Sequence, residues 1–159
     1  MDIQEFRMPR YREIPNVGLF LEQTVKYINT ALAPLGNIEL TPSMVSNYVK
    51  KHYVKGPVKK QYDAVSIAQL LFAAVAKSVI SMDNIRTMLE RQDADYPVDV
   101  AYNRFCDVLE TTLQSGETGL GEDPVPDGEK DKDNLEAMLK HVVIAAVQIV
   151  RLHDCFARL

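Results

Sequence analysis

The chain reads as a mostly α protein: a winged helix-turn-helix head followed by a C-terminal helical bundle. Three observations lead there. Apolar residues recur at three- and four-residue intervals in six stretches, the period of a helix with one buried face. Several of those stretches open on a residue that can cap a helix. Between Thr41 and Tyr62 stand five lysines and no acid, although the whole chain carries a net charge of −4.

Residues 1–15 show no periodicity, and Pro9 and Pro15 favour an extended N-terminal arm with a frayed end. Asn16 is expected to cap the first helix, whose Leu21, Val25, Ile28 and Leu32 form one apolar stripe. Pro34 and Gly36 end it. Thr41-Pro42 opens the next helix, with threonine as cap and proline in the first turn. Met44, Val45, Tyr48 and Val49 form its inner face, and Ser43, Ser46, Asn47, Lys50 and Lys51 point outward. The run YVKGPVKKQY around Gly56-Pro57 suits a short hairpin or wing.

Asp63 is placed to cap a largely buried helix running from Ala64 to about Val79. Ser81 can cap another over Met82–Arg91, with Asp83 near its positive end and Arg91 near its negative end. After Tyr96-Pro97 a helix is predicted over about 98–114, with Ala101, Phe105, Val108, Leu109 and Leu113 inward. Residues 115–133, SGETGLGEDPVPDGEKDKD, are too polar to order themselves and read as a flexible acidic loop. The last helix, Asn134 to about Phe156, is apolar on more than one face. It is therefore expected either to be the centre of the bundle or to bury a second face against another subunit. The organisation that follows is an arm (1–15), a helix-turn-helix domain (16–91) and a C-terminal dimerisation or regulatory region (92–159).

Composition narrows the function classes. Residues 1–91 hold 12 Lys/Arg against 8 Asp/Glu, a balance of +4, and residues 92–159 hold 6 against 14, a balance of −8. A basic half joined to an acidic half suggests that one half meets a polyanion while the other assembles or regulates. No apolar run approaches the ~20 residues of a membrane span, and the opening residues lack the apolar core of a secretory signal. Cys106 and Cys155 have no metal-ligand spacing and read as reduced, buried thiols of a cytoplasmic protein. No phosphate-binding loop, dinucleotide fingerprint, zinc-protease motif or nucleophile elbow is present. His153, Asp154 and Cys155 are consecutive, so a helix points them about 100° apart and they form no site alone. No catalytic residue, metal site or cofactor is expected, and the protein is not expected to be an enzyme.

A helix-turn-helix reader needs a bracing helix, a turn, and a second helix whose polar face fits the major groove. The helix ending near Ala33, the PLGNIEL connection and the 41–50 helix supply those parts. Ser43, Ser46 and Asn47 are short polar groups suited to base edges, while Lys50, Lys51 and His52 stand where the helix leaves the groove. Lys55, Lys59 and Lys60 on the wing would extend the phosphate contacts, and Tyr48 and Tyr62 flank it.

These residues resemble the DNA-binding head of MerR-type regulators. In that head a recognition helix bearing an aromatic (here Tyr48) precedes the wing. A tyrosine then leads an acid-capped helix (Tyr62 and Asp63), followed by a helix of the kind that Ser81, Asp83, Ile85 and Leu89 make here. More closely, the arm MPRYREIPNVGLFLEQTVKYIN and the head resemble an uncharacterised bacterial domain-of-unknown-function family, mostly from Firmicutes, built on such a MerR-like head. The resemblance is plain over about 8–91 and loose beyond. It implies a transcriptional regulator that binds double-stranded DNA, with target and small-molecule effector unknown. Three departures stand out: Asn47 and Lys50 flank Tyr48 where an arginine is usual, the wing is short, and the metal-sensing cysteine pair is missing.

The leading expectation is thus a DNA-binding homodimer that reads a roughly palindromic site. The alternative is a protein–protein interaction module that keeps the fold without binding DNA. In that case the acidic loop could fold back over the basic face.

Overall fold

The computed structural model describes residues 2–36, 38–115 and 131–159. Among them lie six α-helices, α1 (Leu21–Leu32), α2 (Pro42–Lys50), α3 (Ala64–Ala76), α4 (Met82–Asp95), α5 (Val98–Gln114) and α6 (Asp131–Ala157), with three single 3-10 turns and no strand longer than an isolated bridge. The protein is mostly α, as the periodicities predict. The acidic segment lies outside the described residues except for Ser115 and the start of α6, so its proposed fold-back does too.

The caps explain where most helices begin. Thr41 accepts from the Met44 N–H at 3.1 Å, Asp63 from the Ser66 N–H at 2.9 Å and Ser81 from the Asn84 N–H at 3.1 Å. Asn16 does something else. Helix α1 starts five residues later, where Gln23 accepts from the Phe20 N–H, and Asn16 Oδ1 accepts from the Ala64 N–H at 3.0 Å. It therefore satisfies a free donor at the start of α3, not of α1.

Every residue of α3 except Val65 is buried, so α3 is the centre of the bundle. Helices α1, α4, α5 and α6 all pack on it. Its alanines at 68, 73, 74 and 76 let those neighbours approach, and Ile67, Leu70 and Leu71 fill the space between them. The central position predicted as one option for the last helix thus belongs to α3. Helix α6 buries one face through Leu139, Val143, Ala146 and Val147, and leaves Met138, Leu152 and Phe156 exposed. One hydrophobic core runs through residues on both sides of position 91.

The N-terminal arm is docked, which corrects the expectation of a frayed end. Phe6, Met8 and Ile14 are buried against α5 and its neighbours. The arm is latched by polar contacts that periodicity cannot reveal. Glu110, itself only 7% exposed, accepts from Arg10 Nη1 at 2.5 Å and from the Met8 N–H at 2.9 Å, and Arg10 also pairs with Asp107. Tyr102 Oη donates to the Pro9 carbonyl at 2.7 Å. Burial alone would raise the Glu110 carboxyl, but the Arg10 guanidinium and the Met8 N–H outweigh it and hold the group below the usual glutamate value.

The cysteines divide. Cys106 is fully buried beside Pro9, and burial pushes its thiol up to about 12. Cys155 is exposed, so the expectation of two buried thiols holds only for Cys106. Among the described residues no helix is long and apolar enough to cross a membrane, and no group of three His, Cys, Asp or Glu is placed to hold a metal.

Candidate nucleic-acid interface

Helix α2 presents two faces. Val45 and Tyr48 are buried, while Ser43, Ser46, Asn47 and Lys50 are exposed, followed by Lys51 and His52. The polar residues expected at a base edge therefore do share one open surface. Tyr48 and Tyr62 do not belong to it. At 6% and 4% exposure they are core residues, Tyr48 packed edge-on against Tyr53 and Tyr62 bridged to Leu19. They flank the basic run in sequence, where an aromatic looks the same whether it stacks on a base or packs in the core.

Three polar side chains hold α2 and the turn beyond it in place. Asn29 of α1 donates through Nδ2 to the Leu40 carbonyl and accepts from the Leu40 N–H, both at 2.8 Å, which ties the connection to α1 one residue before the Thr41 cap. Arg86 of α4 lies over the Tyr53 ring at 5.2 Å and donates to the Lys51 carbonyl at the far end. Gln69 of α3 accepts from the Lys55 N–H at 2.7 Å. None of these three was identified as a functional residue in the sequence. Asn29 and Gln69 read as ordinary helix positions, and Arg86 makes an unremarkable i,i+3 pair with Asp83.

The end of α2 and the turn beyond it are conformationally unusual. Helix α2 closes with the Tyr53 N–H donating to the Tyr48 carbonyl and the His52 N–H to the Val49 carbonyl. That is the Schellman arrangement, which puts its C′ residue in the left-handed region, where glycine is the rule. Here the residue is His52, at φ 59°. The expected wing is a minimal hairpin. Val58 and Gln61 exchange two backbone hydrogen bonds of 3.0 Å across Lys59 (φ 52°) and Lys60 (φ 65°). Two central residues with positive φ are the signature of a type I′ turn, whose preferred residues are Asn-Gly. Among the described residues these three are the only non-glycine positions with positive φ. Each costs on the order of 1 kcal/mol, and all three fall within nine residues of the basic segment.

A tight approach closes the base of the hairpin. Leu19 and Tyr62 are paired by backbone bonds of 3.1 and 2.7 Å. Gly18 adopts φ 82° there, and a Cβ on it would stand 2.6 Å from Gln61 Oε1.

The five lysines are not equivalent. Lys55 Nζ pairs with Asp63 Oδ2 at 2.5 Å. Burial raises the Asp63 carboxyl, but the Lys55 hydrogen bond and the Ser66 N–H bring it below the ordinary value. Lys50, Lys51, Lys59 and Lys60 are exposed and make no ion pair among the described residues. The segment thus offers four free cations and a cluster of short polar groups on one braced helix and one rigid turn. Such a surface can meet phosphates without first reorganising.

Comparison with known proteins adds one finding. No curated protein and no solved structure matches the chain. Residues 9–105, which take in the end of the docked arm, the basic segment and the first part of α5, match a protein family described as Domain of unknown function (DUF1836), and the chain belongs to that family.

Proposed function

We propose that this protein is a DNA-binding transcriptional regulator with a MerR-like helix-turn-helix head. In this reading α2 enters the major groove, with Ser43, Ser46 and Asn47 at base edges. Lys50, Lys51, His52, Lys59 and Lys60 meet phosphates, and Lys55 does so only in competition with Asp63. The observation that carries the reading is the use of His52, Lys59 and Lys60 at three left-handed positions where glycine or asparagine would be less strained. Strain of that kind gathers where a side chain is wanted for what it contacts.

A homodimer is part of the proposal. Met138, Leu152 and Phe156 form an uncovered apolar edge on α6, at 39%, 56% and 65% exposure, which suits burial against a second copy. Two copies of α2 would then read half-sites about one helical turn apart. Catalysis has no part in the reading.

The test is fluorescence anisotropy of the full chain with mixed-sequence duplex DNA near 50 mM salt, beside Lys50→Glu/Lys59→Glu. The wild type should bind, and the double variant should bind on the order of 10–100-fold more weakly with an unchanged circular dichroism spectrum. No binding by the wild type overturns the proposal.

One observation favours the second reading, a protein-interaction module. Val17, Phe20 and Val58 are 82%, 51% and 66% exposed around the base of the hairpin, so an apolar margin adjoins the basic face. Phe20→Ser/Val58→Ser separates the two: a DNA reader keeps its affinity, and an interaction module loses its partner.

A further inference from the structure

A cavity of about 260 Å³ opens between α4, α5 and α6, walled by Tyr96, Val100, Leu135 and Leu139 with Arg104 and Glu136 on its polar side. It is smaller than the ~300–1,000 Å³ of drug-sized sites, which suits a molecule the size of an amino acid. Leu135 and Leu139 are nearly buried, while Val100 is 48% exposed, so the cavity has an apolar floor and an open mouth.

Its polar side has unused valence. Arg104 donates through Nε to Glu136 Oε1 at 2.8 Å, and Nη2 donates to the same oxygen. Among the described residues nothing engages Glu136 Oε2 or Arg104 Nη1. The pair therefore offers one free anionic acceptor and one free guanidinium donor side by side. An ammonium and a carboxylate on adjacent bonds of one ligand would complete both.

The cavity also has a path to the basic face. Gln92 and Ala101 line both it and a narrower crevice whose wall includes Phe72, Phe105 and Gln69. Gln69 is the residue that holds the Lys55 N–H at 2.7 Å. A ligand that shifts this wall moves the anchor of the hairpin.

We propose that the α4–α5–α6 cavity binds a small apolar α-amino acid and that its occupancy changes the grip of the basic hairpin on DNA. The ammonium meets Glu136, the carboxylate meets Arg104, and the apolar side chain lies against Val100, Leu135 and Leu139. The second half of this proposal rests on the DNA-binding reading, and the first half does not.

Isothermal calorimetry of the full chain with L-leucine tests the site, beside 4-methylpentanoate, which lacks the ammonium, and 3-methylbutylamine, which lacks the carboxylate. L-Leucine should bind with a dissociation constant below about 1 mM, and each single-charge probe at least about tenfold more weakly. Val100→Trp, at a half-exposed position that tolerates bulk, should plug the mouth and abolish binding, and Arg104→Gln should weaken it. Absence of leucine binding overturns the site. Equal binding of 4-methylpentanoate overturns the assignment of the ligand class.

Anisotropy with duplex DNA then reads the coupling. Saturating L-leucine should shift DNA affinity about 5–150-fold, and Gln69→Met should abolish that shift while leaving leucine binding intact. A protein that binds leucine but shows no shift overturns the coupling. One that binds leucine but no DNA overturns the DNA-binding reading and leaves the amino-acid site standing.

Discussion

In the N-terminal arm, Arg10 reaches 100 residues along the chain to Glu110, and its charge is consumed inside the fold. In the hairpin, Lys59 and Lys60 are held in left-handed conformations with their charges facing solvent and no acid beside them. Both segments are short and rich in turns, and each gathers three cations: Arg7, Arg10 and Arg12 in the arm, Lys55, Lys59 and Lys60 in the hairpin. What separates them is pairing. A cation whose partner is a nearly buried carboxylate stabilises the fold, and moving it to a phosphate would leave that carboxylate uncompensated. A cation with no partner, on a backbone strained to present it, has nothing to lose by meeting an anion.

The comparison predicts opposite responses from the two regions. The largest change in stability belongs to the arm. Glu110→Ala should cost about 2–3 kcal/mol by stranding the Met8 N–H and leaving Arg10 with Asp107 as its one carboxylate partner. At roughly 2–4 °C per kcal/mol for a chain of this size, the melting temperature should fall by about 4–12 °C, with DNA affinity unaltered. A variant that melts like the wild type would show that the latch contributes little.

The same pair sets a pH dependence. Because the folded carboxyl sits below its unfolded value, the unfolded chain binds the proton more readily. The stabilisation is therefore complete above the ordinary glutamate range and is lost as pH falls through the depressed folded value. Glu110→Gln should flatten that part of the stability profile in acid denaturation followed by circular dichroism. An unchanged profile would place the acid sensitivity elsewhere, with Asp63 next in line because Lys55 and Ser66 depress its carboxyl in the same direction.

The smallest effect is the most specific. Lys59→Asn/Lys60→Gly installs the residues a type I′ turn prefers and should stabilise the fold by about 1 kcal/mol. It also removes two free cations, so DNA affinity should drop as stability rises. A rise in stability with no drop in affinity would mean that the strain serves something other than phosphate contact.

Much of the fold was legible because helices are local. The stripe of α1, the caps Thr41, Asp63 and Ser81, and the span of α5 follow from spacing and capping chemistry within a few residues. The errors share a different cause. Asn16 lies 48 residues from the amide it satisfies and Arg10 100 from its carboxylate, so neither role has a short-range signature. Glu110 reads as a solvated helix residue, and only the arm's arrival buries it. The centrality of α3 over α6 depends on which apolar helix the others surround, and both have apolar residues on more than one face. For the candidate site, the basic run and the outer face of α2 could be read directly. The left-handed lysines could not, since Lys-Lys gives none of the turn signal that Asn-Gly gives. Nor could the burial of Tyr48 and Tyr62, because residue type does not say which side of a surface a ring is on.

The most direct test of the central claim is the salt dependence of DNA binding by the full chain, measured beside single Lys→Gln variants at 50, 51, 59 and 60 and at Arg10. Four phosphate contacts in each protomer of the dimer predict a slope of log affinity against log salt of about −7.2. Each lysine variant, removing one contact per protomer, should reduce its magnitude by about 1.8, and Arg10→Gln should leave it unchanged. A slope that ignores the lysines, or that responds to Arg10 as much as to Lys59, would contradict the division between paired and free cations on which the account stands.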